Sequence, residues 1–260
     1  AVKATGDSQN PDLTYNGYAG VQWACENGAN VISMSYGSEN SMNAMQELIN
    51  SYPEVVFVGA AGNDNTSTPF YPAAYTNVIG VGSVDSDDTK SSFSNYNSGF
   101  PSWVDIASPG GFSYGGLLST VYTNDLNSYA KFGGTSMAAP FAAGLVGLML
   151  SVNPGLTPSE ILNCLVSSGV DINQNIGNRI DAYAALICAL PDTDDPIPAF
   201  TASPQIVFEG QSVDFSNYSV GGENWEWAFE GGSPSTYQGE NPPEILYSTS
   251  GSYDVTLTIS

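Results

Sequence analysis

The stretch of this 260-residue chain with the clearest chemical potential is Gly133-Gly134-Thr135-Ser136-Met137-Ala138-Ala139-Pro140. It sets a hydroxyl just after two glycines, at the start of an apolar run that reads as a helix. Glycine lets a backbone and a ligand approach closely. A helix N-terminus adds unpaired N–H groups and the positive end of the dipole, which together favour an oxygen gaining negative charge. A serine in such a place also serves as an ordinary N-cap, so a second element is needed to give it chemistry. Val56-Phe57-Val58-Gly59-Ala60-Ala61-Gly62-Asn63-Asp64 supplies one, an apolar strand that runs into small residues and ends in an asparagine. Asn63 is either a turn residue following glycine or an amide donor that holds a developing oxyanion beside the Ser136 N–H.

The elements that must position these groups alternate between helix and strand over residues 1–190. Tyr15 to Asn27 carries Tyr18, Val21, Trp23 and Ala24 at helical spacing and stops at Gly28; Met42 to Ile49 is also helical. Val31–Ser35, Val55–Ala60 and Val78–Val84 are continuous apolar runs suited to buried strands, and such strands joined through helices point to a parallel sheet covered on both faces. Ser136 to Leu150 is apolar nearly all round, with small residues that allow close packing, so it reads as a buried helix. Thr157-Pro158-Ser159-Glu160 opens the next helix with an N-cap, a first-turn proline and a capping-box glutamate. Asp181 to Leu190 forms a further helix.

Residues 191–198, with three prolines and three aspartates, read as an extended linker. The pattern then changes. Ile206-Val207-Phe208, Val213-Asp214-Phe215, Trp225 to Phe229 and Tyr253 to Ile259 read as short strands between Gly, Pro and Ser turns, and the last alternates strictly. A small antiparallel sandwich over residues 199–260 follows. Trp225 and Trp227 share a strand face, where at least one belongs in the core.

With these residues in place, the first domain resembles the subtilisin-like serine peptidases (family S8). Gly134-Thr135-Ser136-Met137-Ala138-Ala139-Pro140 is similar to that family's nucleophile motif, and Ala60-Ala61-Gly62-Asn63 to its oxyanion segment. Asn30 to Gly37 resembles the strand whose end pairs with an extended substrate. Tyr71-Pro72-Ala73-Ala74-Tyr75, Val78 to Asp85, Phe93 to Tyr96, Asp105 to Gly110 and Gly177 to Ala182 follow in family order and span nearly all of residues 1–190. The resemblance implies Ser136 as nucleophile and Asn63 as oxyanion donor. It implies substrate contacts from Ser35, Tyr36, Gly37, Ala60, Ala61, Gly62 and Thr135. The pocket for the residue before the scissile bond would lie between Ser35–Gly37 and Ala60–Asn63, and glycine and alanine at its base imply a roomy apolar slot. The second domain resembles a PKD module, on Val213-Asp214-Phe215, Trp225 to Gly232, Asn241-Pro242-Pro243 and Gly251 to Thr258. Its Glu230-Gly231-Gly232 replaces the commoner Gly-Asp-Gly turn. The expected fold is α/β, a subtilisin-like parallel sheet flanked by helices and incomplete at its N-terminus, plus a small all-β Ig-like sandwich.

One departure is decisive for activity: the chain contains no histidine. The family's catalytic Asp and His lie upstream of the Ala1-Val2-Lys3 strand. The opening Ala1-Val2-Lys3-Ala4 has no methionine and no visible signal peptide, so the start is read as a cut. The 260 residues alone are therefore expected to be nearly inert. The leading expectation is a secreted endopeptidase acting on protein or peptide substrates, with the PKD module as a spacer or as a contact to a polymeric substrate. One alternative is a non-catalytic subtilisin-like binding or adhesion protein. Another is a nicked protease whose Asp and His reach this chain on a separate polypeptide. Phe141 stands where the family often has a non-catalytic histidine, a swap expected to alter packing only.

Composition adds exclusions. Acidic residues number 26 against 4 basic ones, for a formal net charge of −22, which disfavours nucleic acid, whose phosphates need Lys and Arg. No apolar run reaches the ~20 residues that span a bilayer. Calcium is a family habit, and Asp105 with carbonyls around Ala73, Tyr75 and Val78 is a weak cation candidate, although simple local capping by Asp105 is the preferred reading. No cysteine has a metal-ligand spacing. Cys164 and Cys188 fall on neighbouring helices and could pair, leaving Cys25 either as a buried free thiol or paired with a cysteine upstream of residue 1. Gly110 to Gly116 is no phosphate loop and is expected at the surface.

Overall fold

Strand runs that are apolar at nearly every position favour burial on both faces, and here they line up in one sheet. In the computed structural model, which describes residues 17–112, 115–121, 128–191 and 196–260, β1 (Val31–Met34), β2 (Val56–Ala60), β3 (Val78–Val84) and β4 (Ile106–Pro109) lie side by side. A short edge strand after residue 177 completes the sheet, and every pairing in it is parallel. Ala1-Val2-Lys3-Ala4, the first two residues of the first expected helix, Ser113-Tyr114 and linker residues 192–195 lie outside the described residues. The chain divides into two compact units, Ala1–Leu190 and Pro191–Ser260.

Between the sheet strands come β5 (Leu117–Thr120) and β6 (Tyr129–Phe132), an antiparallel pair of their own, and the edge strand is β7 (Asn178–Arg179). The helices are α1 (Gly17–Glu26), α2 (Asn43–Asn50), α3 (Thr135–Val152), α4 (Pro158–Ser168) and α5 (Ala182–Ala189). Successive residues of β2 point to opposite faces, as a strand requires. Val56, Val58 and Ala60 meet Ala138, Ala139, Ala142 and Val146 of α3, while Phe57 meets a cluster with Val21 of α1 and Met45, Leu48 and Ile49 of α2. The alanines bring α3 close against the sheet and put its first turn at the carboxyl ends of the strands. By length and composition α3 could also cross a membrane, a property the sequence reading missed; in this fold its small-residue face is buried on the sheet.

Local sequence signals set the ends of the later helices. The Thr157 hydroxyl accepts from the Glu160 N–H at 3.3 Å, and the Glu160 carboxylate accepts from the Thr157 N–H at 2.8 Å. Asp181 caps α5 by accepting from the Ala184 N–H at 2.9 Å. Cys164 and Cys188 form a disulfide joining α4 to α5. Cys25 is a free buried thiol, which burial and the nearby Glu54 push above its usual pKa.

The second unit is all-β. It contains β8 (Phe200–Ser203), β9 (Gln211–Asn217), β10 (Trp225–Phe229), β11 (Gly232–Ser233), β12 (Thr236–Gln238), β13 (Ile245–Tyr247) and β14 (Val255–Ile259). They form two antiparallel sheets, ordered β12-β10-β14 and β11-β13-β9-β8. Phe215, Trp227, Phe229, Ile245 and Leu257 fill the space between them. The Trp227 indole N–H donates to the Gly239 carbonyl at 3.1 Å. Trp225 packs only partly, and its indole nitrogen is buried without a hydrogen-bond partner. The expected strand at Ile206-Val207-Phe208 does not form. Ile206 is 91% exposed, and the run ends in a turn closed by the Gln211 N–H on the Phe208 carbonyl at 3.1 Å. Pairing instead begins earlier: Ile197 already bridges Val220, and β8 pairs with β9.

Replacing Cys164 and Cys188 together by serine reopens a crosslink between residues 24 apart in sequence. Loop closure of that size predicts a loss of about 2–4 kcal/mol, to be read as a lower denaturant midpoint for the first unit's unfolding.

Candidate active site

Open parallel sheets offer ligand sites beyond the carboxyl ends of their strands. Here β1 runs out into Ser35-Tyr36-Gly37, and β2 into Ala61-Gly62-Asn63. The first turn of α3 meets both. The Thr135 N–H and hydroxyl both donate to Asn63 Oδ1, at 2.9 and 3.0 Å. The same Thr135 hydroxyl oxygen accepts from the Gly62 N–H at 3.0 Å. With the oxygen of Asn63 used twice, its Nδ2 faces the space beside Gly134. A Cβ placed on Gly134 would stand 3.5 Å from Asn63 Nδ2 and 3.7 Å from both the Ser136 nitrogen and Asn63 Oδ1, whose lone pairs Thr135 already engages. Two N–H donors thus border one spot that glycine, here at φ +151°, leaves open.

Ser136 is the second residue of α3 and not its N-cap, which is Gly134 and has no side-chain bond. Its Oγ donates to the Ser35 carbonyl at 3.1 Å. The bond in the other direction has a cause in the sequence. Pro140 has no N–H, so the Ser136 carbonyl lacks its helical partner four residues on; the Ser35 hydroxyl donates to it instead, at 2.8 Å. Proline at that position exchanges a helical bond for a tie to the end of β1.

Two supports escaped the sequence reading. Gly110 is buried, not at the surface as expected, and its carbonyl accepts from the Gly134 N–H at 2.7 Å. A Cβ on Gly110 would come within 2.7 Å of the Gly134 oxygen, so glycine is needed for that approach. Fully buried Asn95 clamps the segment leading to Asn63. Its Nδ2 donates to the Ala61 carbonyl at 2.9 Å, its N–H to the Gly62 carbonyl at 3.0 Å, and its Oδ1 accepts from the Asp64 N–H at 2.9 Å. Glycine after a strand end and a lone asparagine in a serine-rich stretch carry no local signal for contacts this distant.

Comparison with known proteins decides the family. The family model described as the subtilase family matches residues 1–184, and the model for the PKD domain matches residues 199–260. The chain belongs to the subtilase family. Over its whole length it is 34% identical to the halolysin-like extracellular serine protease Nep of Natrialba magadii, covering 48% of that protein. It is 36% identical to thermitase of Thermoactinomyces vulgaris, over 64% of this chain and 57% of thermitase. Among solved structures it superposes on a protease of Pseudoalteromonas arctica with TM-score 0.62 and 33% identity, covering 68% of this chain and 59% of that one. The chain spans about half the length of the curated relatives it matches.

At the edges of the segments Ser35–Gly37 and Ala60–Asn63 of this subtilase, a Cβ on Gly37 would meet the Tyr71 carbonyl and the Phe70 ring, and a Cβ on Gly62 would meet the Asn95 amide and the same ring. The Tyr36 side chain turns away from the slot toward α1, with its hydroxyl 3.4 Å from the Gly17 carbonyl, and burial pushes its pKa up to about 12. Only backbone from Tyr36 is left for the site. On the other side of Ser136 lies an open apolar groove of about 660 Å³, walled by Phe132, Met137, Pro140, Phe141 and Leu148. Phe141 is 51% exposed there and so forms groove wall rather than internal packing.

The cation candidate fits poorly. Asp105 Oδ2 accepts from the Gly80 N–H at 2.7 Å, and burial raises the Asp105 pKa, which disfavours a bare carboxylate at that position. The Tyr75 carbonyl is engaged by the Val78 N–H at 3.3 Å. Among the described residues no group of three or more His, Cys, Asp or Glu is disposed to hold a metal. Asp105 acts as a local cap on the sheet.

The exchange at Pro140 predicts coupling between two distant residues. Ser35→Ala should lower the unfolding free energy of the first unit by about 1 kcal/mol. In a Pro140→Ala background, where residue 140 regains an N–H for the Ser136 carbonyl, the loss should fall by at least half. A double-mutant cycle in denaturant reads the difference directly.

Proposed function

We propose that this chain carries the nucleophile and the oxyanion site of a secreted serine endopeptidase that cleaves proteins and peptides through an acyl-enzyme on Ser136. The observation that carries the reading is the pair of donors, Asn63 Nδ2 and the Ser136 N–H, bordering the space at Gly134. The Ser136 oxygen attacks the peptide carbonyl and its proton passes to a base. The two donors hold the resulting oxyanion, the amine leaves with a proton returned by the base, and water releases the acyl group. Substrate runs antiparallel along Ser35-Tyr36-Gly37, where main-chain pairing supplies affinity; Ala60, Ala61 and Gly62 form the facing wall, and Thr135 holds Asn63 in register.

With no histidine in its 260 residues, this chain needs the base and its orienting carboxylate from outside them. The apolar groove beside Ser136, on the side away from the substrate strand, is where a base-bearing segment reaches the hydroxyl. Residues 1–190 are then the peptidase domain, 191–198 a linker, and 199–260 a PKD module that spaces the enzyme or holds a polymeric substrate. The net charge of −22 suits a secreted protein and argues against nucleic acid as a partner, and the burial of the α3 small-residue face argues against a membrane one.

Casein hydrolysis by the full-length protein tests this. Ser136→Ala should abolish it. Asn63→Ala should lower kcat about 10²–10³-fold with little change in KM, a range measured for a subtilisin and carried over to this relative. The 260-residue chain alone should not hydrolyse casein. Activity of that chain that disappears in Ser136→Ala would contradict the need for an outside base, and an unchanged kcat in Asn63→Ala would contradict the oxyanion assignment.

A further inference from the structure

The Asn63 amide is only as well placed as the stretch of chain that carries it. Beyond the strand end, that stretch lies against the loop 91–96. The Asn65 N–H donates to the Phe93 carbonyl at 2.8 Å, and the Tyr96 N–H to the Thr66 carbonyl at 3.0 Å. The Thr66 N–H shares Asn95 Oδ1 with the Asp64 N–H, at 3.2 Å. All of these bonds are between neutral groups.

One charged side chain enters the same seam. Lys90 Nζ donates to Asn65 Oδ1 at 2.9 Å, to the Ser94 carbonyl at 3.0 Å and to the Ser91 carbonyl at 3.2 Å. An ammonium has three N–H groups, and these three oxygens use all of them. The Tyr96 ring adds a cation–π contact, its centroid 5.4 Å from Nζ. The nearby carboxylates of the same turn are engaged elsewhere. Asp87 accepts from the Thr89 hydroxyl at 2.6 Å, and Asp88 pairs with Arg179 at 2.8 Å. The chain has 4 basic residues against 26 acidic ones, yet this one is bound by neutral oxygens. Lys90 works there as a tethered cation that draws two segments together.

Asn65 stands two residues past Asn63, in the left-handed region at φ 49°, which asparagine tolerates better than most residues. Its N–H is used by Phe93 and its side chain by Lys90, so the chain is held on both sides where it reverses. A bond from an ammonium is roughly twice as strong as a neutral one. Without that charge the reversal keeps only its neutral bonds. We propose that Lys90 is a positioning residue for the oxyanion donor: bound to Asn65, Ser91 and Ser94, it holds the segment that aims the Asn63 amide at the space beside Gly134. The inference rests on the endopeptidase reading above, in which Asn63 is that donor. Because the donor acts on charge that develops in the transition state, its loosening lowers kcat and spares KM.

The test measures casein hydrolysis by the full-length protein with Lys90→Met, which keeps the reach of the side chain and removes its charge; Lys90→Gln replaces it if that variant does not fold. kcat should fall about tenfold, part of the 10²–10³ lost with a whole oxyanion donor, while KM stays the same. In an Asn63→Ala background the same change should cost less than about twofold, because the group it positions is gone. An equal loss in both backgrounds, or an unchanged kcat in Lys90→Met, overturns the inference and leaves the endopeptidase reading standing. If the folded wild type does not cleave casein, that reading fails instead, and amide hydrogen exchange decides the role of Lys90. Faster exchange at Asp64, Asn65 and Thr66 in Lys90→Met, with the β2 amides unchanged, supports the inference. Unchanged exchange at those three residues overturns it.

Discussion

Everything the site can do depends on how Thr135 ties the end of β2 to the start of α3. One threonine gives Asn63 Oδ1 two donors and takes a third bond from the Gly62 N–H. The amide of Asn63, itself exposed, therefore cannot turn its oxygen away without orphaning both donors of the fully buried Thr135. Orphaning a buried donor costs about 1–3 kcal/mol, so the donor end of the amide stays aimed at the space beside Gly134. Preorganisation of this kind is what lets a neutral amide stabilise charge without first having to turn.

The remaining structure serves that tie. Alanines on α3 let the helix lie close enough to the sheet for its first turn to reach the strand ends. Gly110 lets the Gly134 backbone come down on it, and Asn95 holds the segment that carries Asn63. Pro140 then withdraws a helical bond from the Ser136 carbonyl, and the Ser35 hydroxyl replaces it. Through Ser136, the proposed nucleophile, and Thr135, the first turn of α3 is thereby joined to the ends of both β1 and β2.

Much of this was legible in the sequence where the signal is local. The glycine pair before Ser136, the strand ending in Asn63, the capping box at Thr157 and the all-apolar strands each state their structure within a few residues. What the sequence hid is long-range. Gly110 read as loop because nothing near it in sequence shows that Gly134 will descend on it. Phe70 sits just before the recognisable Tyr71-Pro72 segment, and its approach to Gly37 and Gly62 exists only once three separate segments meet. Ile206 to Phe208 is apolar enough for a strand, yet the turn at Phe208–Gln211 takes its backbone away from the sheet. Hydrophobicity specified a preference there, and chain connectivity decided against it.

The most direct test of the central claim is to treat the native full-length protein with a fluorophosphonate and map the modified residue by mass spectrometry. This account predicts a single adduct on Ser136, forming far more slowly when Thr135 is replaced by valine and the Asn63 amide is released. An adduct on another serine, or none in a protein that is folded and complete, would contradict it.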